Sequence, residues 1–188
     1  GDLVQKELHT YKKNTKSGNF VPDAVYNYYL GSEQTASDFN GSNLSQYGLP
    51  DYTLSGYDKY DNITEVKSRT GESEVYIWGY NGQYVIARIV NATRSLIESY
   101  GIGSLDSFAS GAEPSEADWN KLNALRNSLP QCMVYTYKYE PMVGLIETTD
   151  PKGMTLYYEY DAKGRLTIER DNNRNMIRSY RYTQKNER

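Results

Sequence analysis

Pairs of tyrosines in the pattern Tyr-x-Tyr recur near the carboxyl end of the chain at an almost constant interval. The second tyrosines of three pairs are Tyr139, Tyr160 and Tyr182, which lie 21 and 22 residues apart. An interval of this length is too short for a domain and is typical of one supersecondary unit repeated along a chain. Since a single β-hairpin is only marginally stable in water, the repetition predicts hairpins that pair side by side in one sheet.

Two turn sequences between these tyrosines predict a register. DPKG at 150–153 and DAKG at 161–164 each begin with an aspartate, which suits the start of a type I turn, and end with a glycine, which suits a left-handed backbone. Residues equally distant from a turn should face each other, with successive side chains on opposite faces. Tyr157 is then expected opposite Glu169, on a polar face. The register predicts one apolar face, formed by Ile146, Leu156, Tyr158, Tyr160, Leu166 and Ile168.

A less regular version of the same pattern precedes the repeats. Residues 56–89 contain Tyr60-Asp61, a Thr70-Gly71 turn, an alternating apolar run and the pair Asn81-Gly82. Asn-Gly between alternating apolar segments is among the strongest local signals for a hairpin. The segment 56–90 is therefore predicted to form further hairpins of the same type.

The run YYEYDAKGRL, together with DPKG and WGYNGQYVIARI, resembles the YD-repeat (RHS-repeat) proteins over roughly residues 50–185. It is most similar to the large surface-associated members found in Bacteroides-type bacteria. The sequence departs from the repeat at Asp61, which stands at a usual glycine, and after Tyr182, where the aspartate is missing. The resemblance implies a mainly β fold, an antiparallel hairpin array that forms an extended sheet. In complete members such a sheet coils into a shell around cargo or forms a stalk.

The rest of the chain divides the predicted array. We expect a polar lead-in with a possible strand at 1–55, hairpins at 56–90, a helical and loop insertion at 91–131, and repeat hairpins at 132–188. The insertion should contain a helix at about 115–129, because Ser115 and Asp118 have capping-box spacing and Pro130 follows. The apolar residues expected to cover the sheet are Trp119, Leu122, Leu125 and Leu129.

Composition restricts the classes of function. Twenty tyrosines against three phenylalanines suit a sheet whose face is partly wet, since the ring packs while the hydroxyl finds a partner. A net charge of −3 with no basic stripe argues against a nucleic-acid partner. The longest apolar run, VIARIV, is too short to span a membrane. Because the chain begins Gly1-Asp2, we interpret it as an excised piece of a longer protein whose signal peptide is missing.

No combination of residues in the sequence predicts catalysis, a cofactor or a metal site. His9 is the only histidine and Cys132 the only cysteine, so neither a Cys/His metal site nor an internal disulfide is expected. Asp38, Asn40 and Asn43 lack the spacing and terminal glutamate of a calcium loop. The chain is therefore predicted not to be an enzyme.

One short segment is a candidate for ligand binding. WGYNGQY, at 78–84, places aromatic rings beside amide side chains in a tight turn, and sugar-binding surfaces use this combination. Ordinary strand packing is the alternative explanation. The candidate ligand-binding residues are Trp78, Tyr80, Asn81, Gln83 and Tyr84.

Three functions remain open at this point. The leading hypothesis is a non-enzymatic structural segment, a β-ribbon wall or stalk of a cell-surface or secreted YD-repeat protein. The alternatives are a carbohydrate-binding module and part of a toxin-delivery shell. The expected partners are flanking repeats of the same polypeptide and, for the carbohydrate hypothesis, cell-surface glycans.

Overall fold

The computed structural model describes residues 5–29 and 44–183, and these residues form one open antiparallel sheet. Its eleven strands follow each other in sequence order, so every strand pairs with its neighbours along the chain. The predicted mainly β hairpin array is thereby confirmed. The strands are β1 (Gln5–Lys13), β2 (Phe20–Tyr29), β3 (Tyr52–Tyr57), β4 (Ile63–Ser68), β5 (Ser73–Gly79), β6 (Tyr84–Val90), β7 (Met133–Glu140), β8 (Gly144–Thr149), β9 (Thr155–Tyr160), β10 (Leu166–Arg170) and β11 (Met176–Ser179).

The region before residue 56 contributes more to the sheet than its sequence predicts. Instead of one possible strand, β1 and β2 form a long hairpin, and β3 then pairs with β2. A short 3₁₀ turn, Leu44–Tyr47, precedes β3. The sequence of β1 is polar and lacks the apolar residues by which a strand is usually predicted, because an edge strand can leave many side chains in water.

The insertion between β6 and β7 contains the α-helices of the described chain. They are α1 (Arg94–Ile97), which continues into a π-helical turn (Glu98–Ile102), α2 (Asp106–Ala109) and α3 (Glu116–Ser128). The predicted long helix is confirmed as α3. Its start has the predicted capping box: Ser115 Oγ accepts from the Asp118 backbone N–H, and the Asp118 carboxylate accepts from the Ser115 backbone N–H.

The hydrophobic core lies between the insertion and one face of the sheet. Positions along β5 alternate between buried and half-buried, because only one of its faces is covered. Val75 and Ile77 are on the covered face, where Leu122 and Leu125 of α3 join them. Other members of this core are Ile86, Ile89, Ile97, Ile102, Leu105, Phe108, Trp119, Leu129 and Val134.

The pairing of β9 with β10 corrects part of the predicted register. Tyr160 faces Leu166 as predicted, but a β-bulge follows, with Thr167 as the extra residue. One inserted residue moves the later side chains to the opposite face of the sheet. The prediction that Ile168 shares a face with Tyr158 and Tyr160 is therefore wrong. Beyond the bulge the pairs are Ile168 with Glu159, Glu169 with Tyr158, and Arg170 with Tyr157.

The hairpin one step upstream has the predicted pairing. Thr148 faces Leu156 and Thr149 faces Thr155, and the two hydroxyl oxygens of the second pair are 3.0 Å apart. The predicted apolar face is nevertheless not a closed core. Its tyrosines are half-buried, and the Leu156 side chain is 38% exposed.

Candidate functional site

Four turns of the sheet are built with the same hydrogen bonds, and each begins with an aspartate. One carboxylate oxygen of each aspartate accepts from the backbone N–H groups two and four residues further along, at 2.8 to 3.0 Å. The N–H of the third following residue also donates to the aspartate carbonyl oxygen. The aspartate side chain thus satisfies backbone groups that the tight turn leaves without strand partners. The four aspartates are Asp58, Asp150, Asp161 and Asp171.

The third residue after each aspartate has a left-handed backbone. Gly153 and Gly164 have φ of 82° and 70°, as predicted, and Gly82 in the turn between β5 and β6 also has a positive φ, of 76°. The other two turns place Asp61 and Arg174 there, with φ of 65° and 66°. Glycine tolerates this conformation best, so the side chains of these two residues need a separate explanation.

The Asp61 carboxylate joins the first hairpin to the repeat-type turn. It accepts hydrogen bonds from Asn19, Ser17 and Asn14, all in the turn between β1 and β2. These hydrogen bonds, with that of Asn19 the largest cause, lower the pKa of Asp61 despite an opposing effect of desolvation. Asn14 also donates to the Asp58 carbonyl oxygen at 2.7 Å. The departure from glycine therefore coincides with a contact between two hairpins.

Arg174 makes a different contact from the same turn position. Its guanidinium carbon lies 3.3 Å from the centroid of the Tyr157 ring. An arginine over an aromatic face is attracted by the ring's electron density. This contact connects the turn after β10 to the middle of β9.

Tyrosine hydroxyls connect each repeat to the strand before it. Tyr160 donates to the carbonyl oxygen of Leu145 at 2.7 Å, and Tyr182 donates to that of Leu166 at 2.8 Å. The two donor tyrosines are 22 residues apart, and the two acceptor leucines are 21 residues apart. The sequence interval therefore corresponds to a repeated hydrogen bond. The Tyr80 hydroxyl also donates to a backbone carbonyl oxygen, that of Tyr139 at 2.9 Å, but this acceptor lies in β7, a later strand.

The upstream hairpin uses a different tyrosine from the one that the sequence suggests. Tyr60-Asp61 is the predicted unit, whereas Tyr57-Asp58 has the structural role. The Tyr57 hydroxyl donates to the Pro22 carbonyl oxygen at 2.6 Å, and Asp58 begins the turn. Two Tyr-Asp pairs stand three residues apart, and only the hydrogen bonds distinguish them.

Arg126 of α3 connects the insertion to the repeats. Its Nε donates to the carbonyl oxygen of Asp150 at 2.9 Å, and its Nη2 donates to the Thr136 hydroxyl at 2.6 Å. Desolvation lowers the pKa of Arg126, while the negative charge of Asp150 opposes the shift. The sequence gives no signal for this role, because a single arginine on a helix is usually solvated.

Lys16 connects the first hairpin to the same insertion. Its ammonium donates to the Tyr57 carbonyl oxygen at 2.8 Å and to Asp106 of α2 at 2.7 Å, and Arg94 lies 3.1 Å from the same carboxylate. Burial would raise the pKa of Asp106, but the two cations outweigh it and the pKa is lowered. The first hairpin, a repeat-type turn and the insertion therefore meet at one place.

The structure brings two of the five predicted ligand-binding residues into one aromatic cluster. Tyr80 is 2% exposed, with its ring edge-on to Tyr84 at 5.5 Å between centroids. Tyr84 stacks on Tyr139 at 4.6 Å. The left-handed backbone at Tyr80, with φ of 52°, ends strand alternation and turns its ring into the core.

The other three predicted residues lie apart from this cluster. Trp78 is half-buried on the opposite face, and its Nε1 donates to the Ile63 carbonyl oxygen at 2.8 Å. Asn81 and Gln83 are exposed at the tip of the turn. Since the rings and the amides do not form one surface, the ligand-binding role of this turn remains a prediction.

The other residues considered for catalysis or metal binding are His9, Cys132 and the segment at 38–43. His9 contacts Glu7 on β1, and the buried Cys132 thiol donates to the Asn91 carbonyl oxygen at 3.1 Å. Asp38, Asn40 and Asn43 lie outside the described residues. Within residues 5–29 and 44–183, no group of three His, Cys, Asp or Glu side chains is placed to hold a metal ion. No helix in these ranges is long and apolar enough to cross a membrane.

Comparison with known families supports a relationship to the YD/RHS repeats. Residues 143–176 match the family model described as RHS Repeat. This segment is less than a fifth of the chain, and it contains the turns at Asp150, Asp161 and Asp171 and the hydrogen bond from Tyr160 to Leu145. RHS repeats are structural repeats. No curated protein matches the chain.

Proposed function

We propose that the chain is a structural segment of a larger surface or secreted RHS-repeat protein, in which its sheet forms part of a wall or stalk and has no catalytic role. The observation that carries the proposal is the repeated unit of an aspartate turn and a tyrosine hydroxyl bonded to the preceding strand. This unit occurs twice in succession, at Asp150 with Tyr160 and at Asp171 with Tyr182, and each occurrence adds a hairpin to the sheet.

The last strand supports the proposal because it is open to further pairing. All four residues of β11 are exposed, including Met176 at 59% and Ile177 at 56%. No described strand pairs with its outer edge. An uncovered edge with exposed apolar side chains favours addition of another strand. Flanking repeats of the same polypeptide are the partner that fits this edge.

The structural role is preferred to the carbohydrate-binding alternative for a physical reason. A carbohydrate module centred on the turn at 78–84 would need accessible rings, whereas Tyr80 is buried and its hydroxyl is bonded to a neighbouring strand. A toxin-delivery shell would be a closed form of the same sheet, and the open edge is compatible with it. A Bacteroides-type surface protein is the parent that the sequence resemblance favours.

The proposal can be tested by duplicating one repeat within the full chain. A second copy of residues 161–182 is inserted after Tyr182, so that an aspartate follows this tyrosine. We expect the added strands to pair with β11, to protect their backbone amides from hydrogen exchange, and to increase the dependence of unfolding free energy on urea concentration, because more surface is buried.

The matched control inserts the same residues in scrambled order. Its added amides should exchange freely, with the urea dependence close to that of the parent. If the duplicated repeat is as unprotected as the scrambled one, the array is not extendable by its own unit and the proposal fails.

A further inference from the structure

The side of the sheet that faces away from the insertion, which we call the reverse face, has an apolar surface of its own. Residues that pair across neighbouring strands share a face of the sheet. Tyr76 lies between Val75 and Ile77 of the covered face, so its side chain and those of its cross-strand partners point away from the insertion. Two adjacent rows on the reverse face are Tyr76, Arg88 and Tyr135, and Tyr137, Thr148 and Leu156.

The reverse face lacks the second layer that the insertion supplies on the other side. Tyr76, Tyr135 and Tyr137 are only half-buried, and Leu156 is 38% exposed. Met133 lies two residues before Tyr135 on the same face of β7 and is 41% exposed. A sheet with large apolar side chains on both faces normally packs a further layer against each of them. The exposure of these residues therefore indicates an uncovered contact surface.

The charged groups of the reverse face are paired within it. The Glu74 carboxylate accepts from Nε and Nη2 of Arg88 at 2.8 and 2.7 Å and from the Tyr76 hydroxyl at 2.7 Å. The Arg88 guanidinium carbon lies 5.7 Å from the centroid of the Tyr135 ring. A bidentate pair of this kind has no net charge, and the other side chains of the two rows are neutral. An identical surface would therefore approach without repulsion between like charges.

The size and shape of the reverse face suit another sheet. From β4 to β9 it consists of six strands of at least six residues, which at ordinary strand spacing amounts to about 500 Å². Two such faces would together bury about 1,000 Å², which is the lower limit for a specific protein interface. Two sheets pack face to face when their strands have a similar twist, and a second copy of the chain has the same twist.

We propose that two copies of this chain associate through their reverse faces, as the two layers of a β-sandwich related by a twofold axis. The contact is isologous, so that the tyrosine rows and Met133 of one copy lie against those of the other. Tyrosine and methionine are favoured at the centres of protein interfaces. The proposed structural role needs only strand addition at the edge of β11. Pairing of two faces goes beyond it and uses a different surface.

The test is sedimentation equilibrium of the full chain over a range of concentrations. We expect a monomer–dimer equilibrium with a dissociation constant on the order of 10 µM, since the interface is small. Met133→Lys and Leu156→Lys each bring an unpaired charge into the contact and should weaken the dimer by about tenfold or more. Because both side chains are exposed in the single copy, both variants should keep the melting temperature of the parent.

A matched variant is the control for added charge. Met142→Lys makes the same substitution at a methionine that is 97% exposed in the turn between β7 and β8. This position lies outside the two rows, so the variant should dimerise as the parent does.

The two tryptophans provide a second, face-specific measurement. Trp78 lies on the reverse face, whereas Trp119 is buried under the insertion, and the chain has no other tryptophan. In Trp119→Phe, quenching of Trp78 fluorescence by iodide should decrease as the chain concentration rises and the dimer forms. In Trp78→Phe, quenching of Trp119 should be independent of concentration.

Two results would overturn the inference. One is a chain that remains monomeric at concentrations of about 1 mM, where even a weak specific contact would be populated. The other is a dimer that persists in Met133→Lys and Leu156→Lys but is lost in Ile177→Lys, which would place the contact at the edge of β11. The duplication test measures protection of added strands, so its outcome is independent of both results.

Discussion

The covered centre of the sheet and its bare repeats are stabilised in different ways. In the centre, β5 to β7 lie under the insertion, and Ile77, Ile89 and Val134 are at most 1% exposed. In the repeats, from β8 to β11, the only buried residues are Thr149 and Thr155, which are still 9% and 8% exposed. The repeats nevertheless have the more regular turns. Regular backbone hydrogen bonding and burial of apolar surface are therefore separate properties within one sheet.

This difference has a physical origin in the range of the contacts. Each aspartate turn satisfies its own backbone groups within five residues, and each tyrosine reaches a strand about 15 residues earlier. Such hydrogen bonds define the geometry of the turns, but each contributes only about 0.5 to 1.5 kcal/mol to the free energy of unfolding. The core contributes more, through contacts between the insertion and distant strands. The repeats therefore depend on a neighbour at each end for much of their stability.

Truncating a core leucine should have the largest effect. Leu122 is fully buried in the centre, so Leu122→Ala should lower the free energy of unfolding by about 2 to 5 kcal/mol through lost burial and a cavity. Urea denaturation measures the change. The matched repeat variant, Leu166→Ala, removes a half-buried side chain and should cost about 1 kcal/mol. Equal losses would contradict the distinction between the two regions.

Removing the link between the regions should have the second largest effect. Arg126→Met keeps a long apolar stem but removes the donor to the Thr136 hydroxyl and one of the two donors to the Asp150 carbonyl oxygen, which keeps the Gly153 N–H. The free energy of unfolding should fall by about 2 to 3 kcal/mol. Hydrogen exchange should accelerate in β8 and β9 more than in β5. Arg181→Met, at an exposed position, is the control and should change neither quantity.

Much of this architecture is predictable because its signals are local. Asp150 to Gly153 and Asp161 to Gly164 contain within four residues both the side-chain acceptor and the left-handed glycine of their turns. The capping box at Ser115 likewise defines the start of α3 without reference to the sheet. Such signals operate before tertiary contacts form, so they can be derived from the sequence.

The features that escape prediction depend on partners far away in the sequence. The bulge at Thr167 reverses the face of Ile168, and no residue type near it requires a bulge. Tyr80 lies in the core, where its ring contacts Tyr84 and its hydroxyl bonds to Tyr139, and not on the face of Trp78. The role of Arg126 depends on a turn 24 residues later.

A single hydroxyl should distinguish the repeated bond from general packing. Tyr160→Phe retains the ring but removes the donor to the Leu145 carbonyl oxygen, and should cost about 0.5 to 1.5 kcal/mol. Tyr158 is similarly half-buried, but its hydroxyl has no partner among the described residues, so Tyr158→Phe should be close to neutral. Thermal and urea unfolding compare the two. If both variants behave alike, the hydroxyl bond does not stabilise the repeat.

In the two turns without glycine, the stabilising contacts of a side chain can be compared with the cost of its left-handed backbone. Glycine relieves the left-handed conformation at Asp61 and Arg174. Asp61→Gly also loses the bonds to the first hairpin, so its melting temperature should fall by a few degrees. Arg174→Gly loses the contact with the Tyr157 ring and an attraction to the exposed Glu159 carboxylate, and its melting temperature should stay unchanged or rise. The reverse order would mean that the first hairpin is not held through Asp61.

The smallest expected effect is a pH dependence that belongs to the bare repeats. The Arg165 side chain, followed by the Arg165 backbone N–H, lowers the pKa of Asp161 from 3.8 to about 2. Because the pKa in the folded state is below that of the unfolded state, the contribution is fully present above about pH 4 and is lost as the pH falls through 2. A carbon-13 NMR titration of the Asp161 carboxyl should therefore have its midpoint near pH 2. Asp161→Asn keeps an oxygen for the turn N–H groups but cannot titrate, so the urea midpoint of this variant should depend less on pH between 2 and 4 than that of the parent. A carboxyl midpoint near 3.8 would show that the ion pair with Arg165 does not form in solution, and the turn would then be held by its backbone bonds alone.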